Sequence, residues 1–369
     1  MKEITGKFEK KHLIMAGIFI ISIIIILFGG ALIYNKIFYK KSYSEVETIM
    51  LNAAQEHFKK YKEKLPKNIN DTITLTDDTL VKSGEMNSID SYLKDKNNTC
   101  SGEVKVTNIN GDYRYTVMLD CGKAHQTKKF MNYINENVNI VTSGNGLYEL
   151  NNELVYRGDN VDNYIKLNNQ TYRIVKFKDG HPFIIHTDKS TSTEWDNRYN
   201  IEKDDTSGIN NYEISRIRTY LNDLYESNAA DALLSETTRL LVTQYDLPIG
   251  KRNDNDTDKT GKLENAKVLT GQYIGLLPIY DFLNASLDEN CTTTISKSCS
   301  NYNYLSKYKN TWWTITANSE NTYKSYRIND IAGTTNTSNN AYIRPVFYLV
   351  DDAIYVSGDG SSTNPFIIK

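Results

Sequence analysis

The sequence predicts an α+β protein, and three observations carry that reading. Strand-like segments follow one another from residue 148, a helical stretch occupies the middle of the remaining chain, and short aromatic strands return at its end. Nearer the start, Asn110-Gly111 joins two alternating segments, the dipeptide that most strongly signals a hairpin. Before both, residues 13–34 form an uncharged run of roughly 22 residues, the length a helix needs to cross hydrocarbon. The expected order is therefore a single N-terminal transmembrane helix, a small helix-plus-hairpin spacer and an α+β head.

The uncharged run is longer than the apolar core of a secretory signal, and Gly29, Gly30 and Ala31 lie inside it rather than at a cleavage site. Lysines close both ends: Lys10 and Lys11 before it, Lys36, Lys40 and Lys41 after it. That balance orients the helix only weakly, with a cytoplasmic tail at 1–12. The cysteines orient it better. Cys100, Cys121, Cys291 and Cys299 all follow the run, in two local pairs whose spacing is too wide for the close C-x-x-C pattern of zinc sites. Two disulfides, Cys100–Cys121 and Cys291–Cys299, place the C-terminal side in an oxidising exterior. The expected location is the cell membrane, single-pass, with the lipid bilayer as one partner.

Residues 35–65 read as a stalk helix, since Val46, Ile49, Met50, Ala53, Ala54, Phe58 and Tyr61 recur at helical spacing. Pro66 and the run KNIND end it. Residues 66–126 read as a small spacer whose hairpin strands lie at 103–107 and 113–119, with Cys100 and Cys121 just outside them. Residues 127–146, ending in SGNG, read as a linker, and 147–369 as the head. Within the head, strands are expected at 148–156, 164–167, 170–177 and 182–186. A helix is expected over EISRIRTYLNDLY, with further helix at 231–242, and strands return at 311–316, 342–349 and 353–356.

The hydrophobic N-terminal helix followed by a hairpin sheet resembles pilins and pseudopilins, although the entry KFEKKHLIMAG lacks their Gly–hydrophobic–Glu processing site. A second resemblance covers 148–369. SRIRTYLNDLYESNAADALLSETTRLL, IGLLPIYDF, WWTITANS and YIRPVFYLV stand in the order of four motifs in a surface-protein domain of unknown function from Firmicutes. That domain is similar to the C-type-lectin-like fold of formylglycine-generating enzymes. The resemblance implies a bacterial protein with a C-type-lectin-like, ligand-displaying head and no assigned reaction.

The composition narrows the function classes. A net charge of −2 and a pI near 6.3 provide no basic field for nucleic acid. No G-x-S-x-G, P-loop or H-E-x-x-H occurs, and Glu149 and Glu153 form no recognisable catalytic pair. Cys291 and Cys299 fall in a Thr/Ser-rich loop outside the strands that match the formylglycine-generating relatives, so the cysteine chemistry of that family is not expected. Asp254, Asp256 and Asp258 match positions 1, 3 and 5 of a calcium loop, but Lys259 replaces its glycine and Asn265 its bidentate glutamate. No cofactor is expected. Tyr302, Tyr304, Trp312 and Trp313 are the expected ligand-binding residues, because flat aromatic side chains suit recognition surfaces. The function expected is a non-catalytic binding head facing an extracellular protein or glycan. The alternatives are a pilin-like assembly subunit and a divergent extracellular enzyme.

Overall fold

The computed structural model describes residues 40–93, 99–188, 191–227 and 234–369. The predicted membrane span at 13–34 and the tail before it lie outside the described residues. Among the described residues no helix is long and apolar enough to cross a membrane. The expected fold class, α+β with one transmembrane helix, is corrected by this structure to a mixed α/β fold made mostly of strands. Seven α-helices and twenty-one strands are present among the described residues. The physical reason is pairing that a linear reading does not show. Phe366–Ile368 runs parallel to Tyr164–Leu167, and both Lys251–Arg252 and Asn340–Tyr342 run parallel to Trp312–Asn318, amid otherwise antiparallel ladders.

The described residues divide into two compact units, one within 40–64, 74–104 and 117–126, the other within 65–73, 105–116 and 127–369. The first unit is built on the helix Tyr43–Lys60. Ser42 caps it: its hydroxyl accepts from the Glu45 amide while the Glu45 carboxylate accepts from the Ser42 amide, satisfying two otherwise orphaned donors. The predicted apolar face is the buried one, with Val46, Met50, Ala53, Ala54 and Phe58 inside. Gly102 lies against this helix: a Cβ at that position would meet Met50 Cε at 2.3 Å, so the end of the Met50 side chain would have to shift.

Both predicted disulfides are present, and no cysteine among the described residues is free. In the first unit Cys100–Cys121 clamps the open end of the hairpin formed by Ser101–Ile109 and Asp112–Asp120. Replacing both cysteines by serine is expected to cost on the order of 3 kcal/mol, the loop-closure entropy of a crosslink of this span. Chemical denaturation of the double variant checks this; a loss below about 1 kcal/mol would mean the unfolded chain is not restrained by the bridge.

The spacer and linker boundaries shift. The hairpin strands are divided between the units, with 105–116 belonging to the second. Its tip is the expected turn, with Asn110 at φ 53° and Gly111 at φ 97°. Residues 127–146 are no linker: they contain the helix Phe130–Asn137, whose Phe130 and Ile134 are buried in the main core of the second unit. Low sequence complexity hid a short helix whose two apolar anchors sit four residues apart. The predicted strand at 148–156 is instead two, Gly146–Leu150 and Glu153–Arg157, turned at Asn151 and Asn152, both of which adopt the left-handed backbone that asparagine tolerates.

The second unit holds a ten-stranded sheet and a six-stranded sheet. In the first, Gln170–Lys178 lies between Tyr164–Leu167 and His181–His186, and also pairs with Glu153–Arg157. In the second, Trp312–Asn318 pairs with Lys324–Asn329 and Asn340–Tyr342. The helix Arg216–Glu226 begins at Ser215, whose hydroxyl accepts from the Arg218 amide, and buries Ile217 and Leu221.

Candidate functional site

The site grows from two elements that each set a charged residue within an apolar run. The strand Gln170–Lys178 ends in RIVKFK, and a shift in its pairing with His181–His186 between Ile174 and Lys176 sets Lys176 opposite Phe183. The helix Ile279–Ala285 reads IYDFLNA and buries all seven residues, Asp281 among them. Its first turn is held by side chains from elsewhere: the Ile279 amide donates to Thr316 Oγ1 at 3.0 Å and the Tyr280 amide to Glu264 Oε1 at 3.2 Å.

These elements bring Lys176 and Asp281 together. Lys176 Nζ lies 3.0 Å from Asp281 Oδ1 and 3.0 Å from Glu153 Oε2, and donates to the Tyr280 hydroxyl at 2.7 Å. Lys176 and Asp281 are both 1% exposed. The lysine–aspartate contact is close without being aligned as a hydrogen bond, so neither Asp281 oxygen has a hydrogen-bond partner. Burial pushes the Asp281 carboxyl up to about 7, against the opposing pull of Lys176. Burial acts to discharge Lys176, but Asp281, the neighbouring tyrosines and Glu153 hold its ammonium well above the ordinary range.

Beside this cluster lies a cavity of about 190 Å³, lined by Phe183, Tyr245, Tyr280 and Tyr348 together with Lys176, Asp281, His181 and Gln244. The Phe183 and Tyr348 rings stack at 4.5 Å, and Tyr245 meets Tyr348 edge-on at 5.0 Å. The Tyr245 hydroxyl is buried and has no hydrogen-bond partner. Burial raises the Tyr245 and Tyr280 hydroxyls far beyond the phenol range, so both remain protonated at neutral pH. A second cavity, also of about 190 Å³, shares His181, Thr243 and Gln244 with the first and continues to Lys105, Arg114 and Asp352. There Arg114 Nη2 donates to Asp352 Oδ1 at 2.7 Å.

The residues expected to bind ligand are mostly elsewhere. Trp312, Trp313 and Tyr304 are buried, and only Tyr302, at 59% exposure, reaches the surface. Alternation along Trp312–Asn318 does send the two tryptophans to opposite faces, but both faces are covered: Trp312 lies in the main core and Trp313 in a second core with Trp195 and Leu221. Trp313 Nε1 donates to the Thr193 carbonyl at 2.9 Å, which ties the ring inside. Two of the three aspartates of the calcium-like loop are occupied by the loop itself and the third by a tyrosine from the strand Lys324–Asn329. Asp254 accepts from the Tyr326 hydroxyl, Asp256 from the Asn253 amide, and Asp258 from Thr260 and Leu263. Among the described residues no group of three metal-ligating side chains converges.

Lys176 and Asp281 were signalled in the sequence only as charges inside apolar runs, a pattern that does not say which charges meet. Glu153 was visible as a carboxylate, without its partner. Compared with family models, curated proteins and solved structures, the chain matches none.

Proposed function

We propose that the second unit is a non-catalytic binding head for an extended, hydroxyl-bearing ligand of the carbohydrate class, presented outside the cell. The observation that carries this reading is the aromatic cavity lined by Phe183, Tyr245 and Tyr348, with the hydroxyl of Tyr245 buried and unpartnered. Rings cover the apolar faces of a sugar, and a buried hydroxyl gains most from a ligand that supplies the missing hydrogen bond. The neighbouring cavity that shares His181, Thr243 and Gln244 favours a ligand longer than one ring. The two disulfides support an oxidising location. The resemblance of residues 148–369 to a ligand-displaying surface domain leads to the same reading.

A glycan array probed with the full chain tests it, followed by titration of each hit. Tyr245→Phe is expected to weaken binding about tenfold, the loss of one buried hydrogen bond, with the melting temperature nearly unchanged. Absence of any glycan hit, or release of a cleaved or modified glycan, would overturn the reading.

A further inference from the structure

We propose that Lys176 and Asp281 are partners in an intramolecular amide crosslink, formed without any cofactor, with Glu153 as the proton carrier. The geometry is that of a reaction complex. One nitrogen lies 3.0 Å from a carboxyl oxygen and 3.0 Å from a second carboxylate, and the reacting pair is shielded from water. Holding an amine against a carboxyl in a fixed orientation removes the entropic part of the barrier to condensation. The surroundings are aromatic: Lys176 Nζ lies 4.6 Å from the Tyr280 ring centroid and 5.5 Å from that of Phe183. An ordinary buried ion pair is stabilised by satisfying its oxygens, yet both oxygens of Asp281 lack a hydrogen-bond partner.

The chemistry balances within the cluster. Condensation needs an uncharged amine and an uncharged acid, which the ion pair becomes when one proton passes from Nζ to Asp281. Burial has raised the Asp281 carboxyl to about 7, so the transfer from the strongly held Lys176 ammonium is uphill, but less so than to an ordinary carboxylate. The Nζ lone pair attacks the Asp281 carboxyl carbon, forming the N–C bond, while Glu153 takes a proton from Nζ. The C–O bond to the acid hydroxyl then breaks, and Glu153 returns its proton so that the hydroxyl leaves as water. The products are one amide and one water, no electron is gained or lost, and the adjoining cavity offers the water a way out. The bond would join the strand Gln170–Lys178 to the helix Ile279–Ala285, two elements far apart in the chain.

Peptide mapping of the purified full chain, reduced, alkylated and digested with trypsin, tests the inference. The expected result is a branched peptide joining the segments that contain Lys176 and Asp281, lighter than their sum by one water, with no cleavage after Lys176. Lys176→Arg is expected to abolish the branched peptide, and Glu153→Gln to reduce its yield at least tenfold. Circular dichroism shows whether each variant remains folded. Recovery of both segments as linear peptides from the natural chain, cut after Lys176, would overturn the crosslink whatever the variants do. A branched peptide at full yield in Glu153→Gln would overturn the role given to Glu153. Glycan binding and its loss in Tyr245→Phe are read separately, so failure of either proposal leaves the other standing.

Discussion

Trp313→Ala is expected to destabilise the protein by about 3–5 kcal/mol, the cost of emptying a large aromatic site in a packed core. Trp313 is fully buried, shares its cluster with Trp195, Ile217, Leu221 and Ile315, and uses its indole N–H on the Thr193 carbonyl. Truncation removes the ring and leaves the Thr193 carbonyl without its indole donor. A loss of this size is a large part of a domain's whole stability, so the variant should melt many degrees lower. Denaturant titration with an unchanged slope would show that the native state alone is affected. A loss below about 1 kcal/mol would return Trp313 to the surface as a contact residue, which is the role the sequence suggested for it.

Arg252→Met is expected to cost about 3–5 kcal/mol by a different route, leaving a buried carboxylate without its cation. Arg252 and Glu264 are both 0% exposed and meet at 3.1 Å and 3.2 Å through one guanidinium nitrogen. The same guanidinium donates to Thr294 Oγ1 and to the Asp258 carbonyl, so it also ties the aspartate-rich loop to the core. Burial already holds the Glu264 carboxyl above the ordinary glutamate value, with Arg252 opposing it. Once Arg252 is gone, Glu264 favours the protonated form more strongly. A carboxyl raised on folding contributes stability that is complete below its unfolded pKa, near 4.5, and is lost as pH rises through the folded value. The deficit of Arg252→Met should therefore be smallest in acid and grow towards neutrality. A deficit that does not vary with pH would mean that Glu264 finds another cation or water. Arg252→Met with Glu264→Leu should recover part of the loss, because a matched apolar pair removes both desolvation costs.

What could be read directly was what depends on near neighbours in the chain. The capping of Tyr43–Lys60 by Ser42 and Glu45, the apolar face of that helix, the Asn110-Gly111 turn and the pairing of Cys100 with Cys121 each involve partners that are local or bracket a local hairpin. The same holds for the alternation that sends Trp312 and Trp313 to opposite faces. What alternation cannot say is whether a face is covered. That was decided by the helix Arg216–Glu226, whose Ile217 and Leu221 share the core of Trp313, and by the residues packed with Trp312 in the main core, and it turned the expected contact surface into core.

The sequence by itself determined the composition, the absence of a basic field, the local caps and turns, the apolar stripe of the first long helix and the two short-range disulfides. These are settled by periods of two and 3.6 residues and by backbone preferences, which act over a few residues. Only the tertiary structure decided the mixed parallel and antiparallel pairing, the burial of Trp312, Trp313 and Tyr304, and the meeting of Glu153, Lys176 and Asp281. Those three charges lie on two strands and a helix with a long stretch of chain between the lysine and the aspartate. A charge within an apolar run shows only that a partner must exist. Which partner it is depends on the register of one strand and on how a distant helix packs against it.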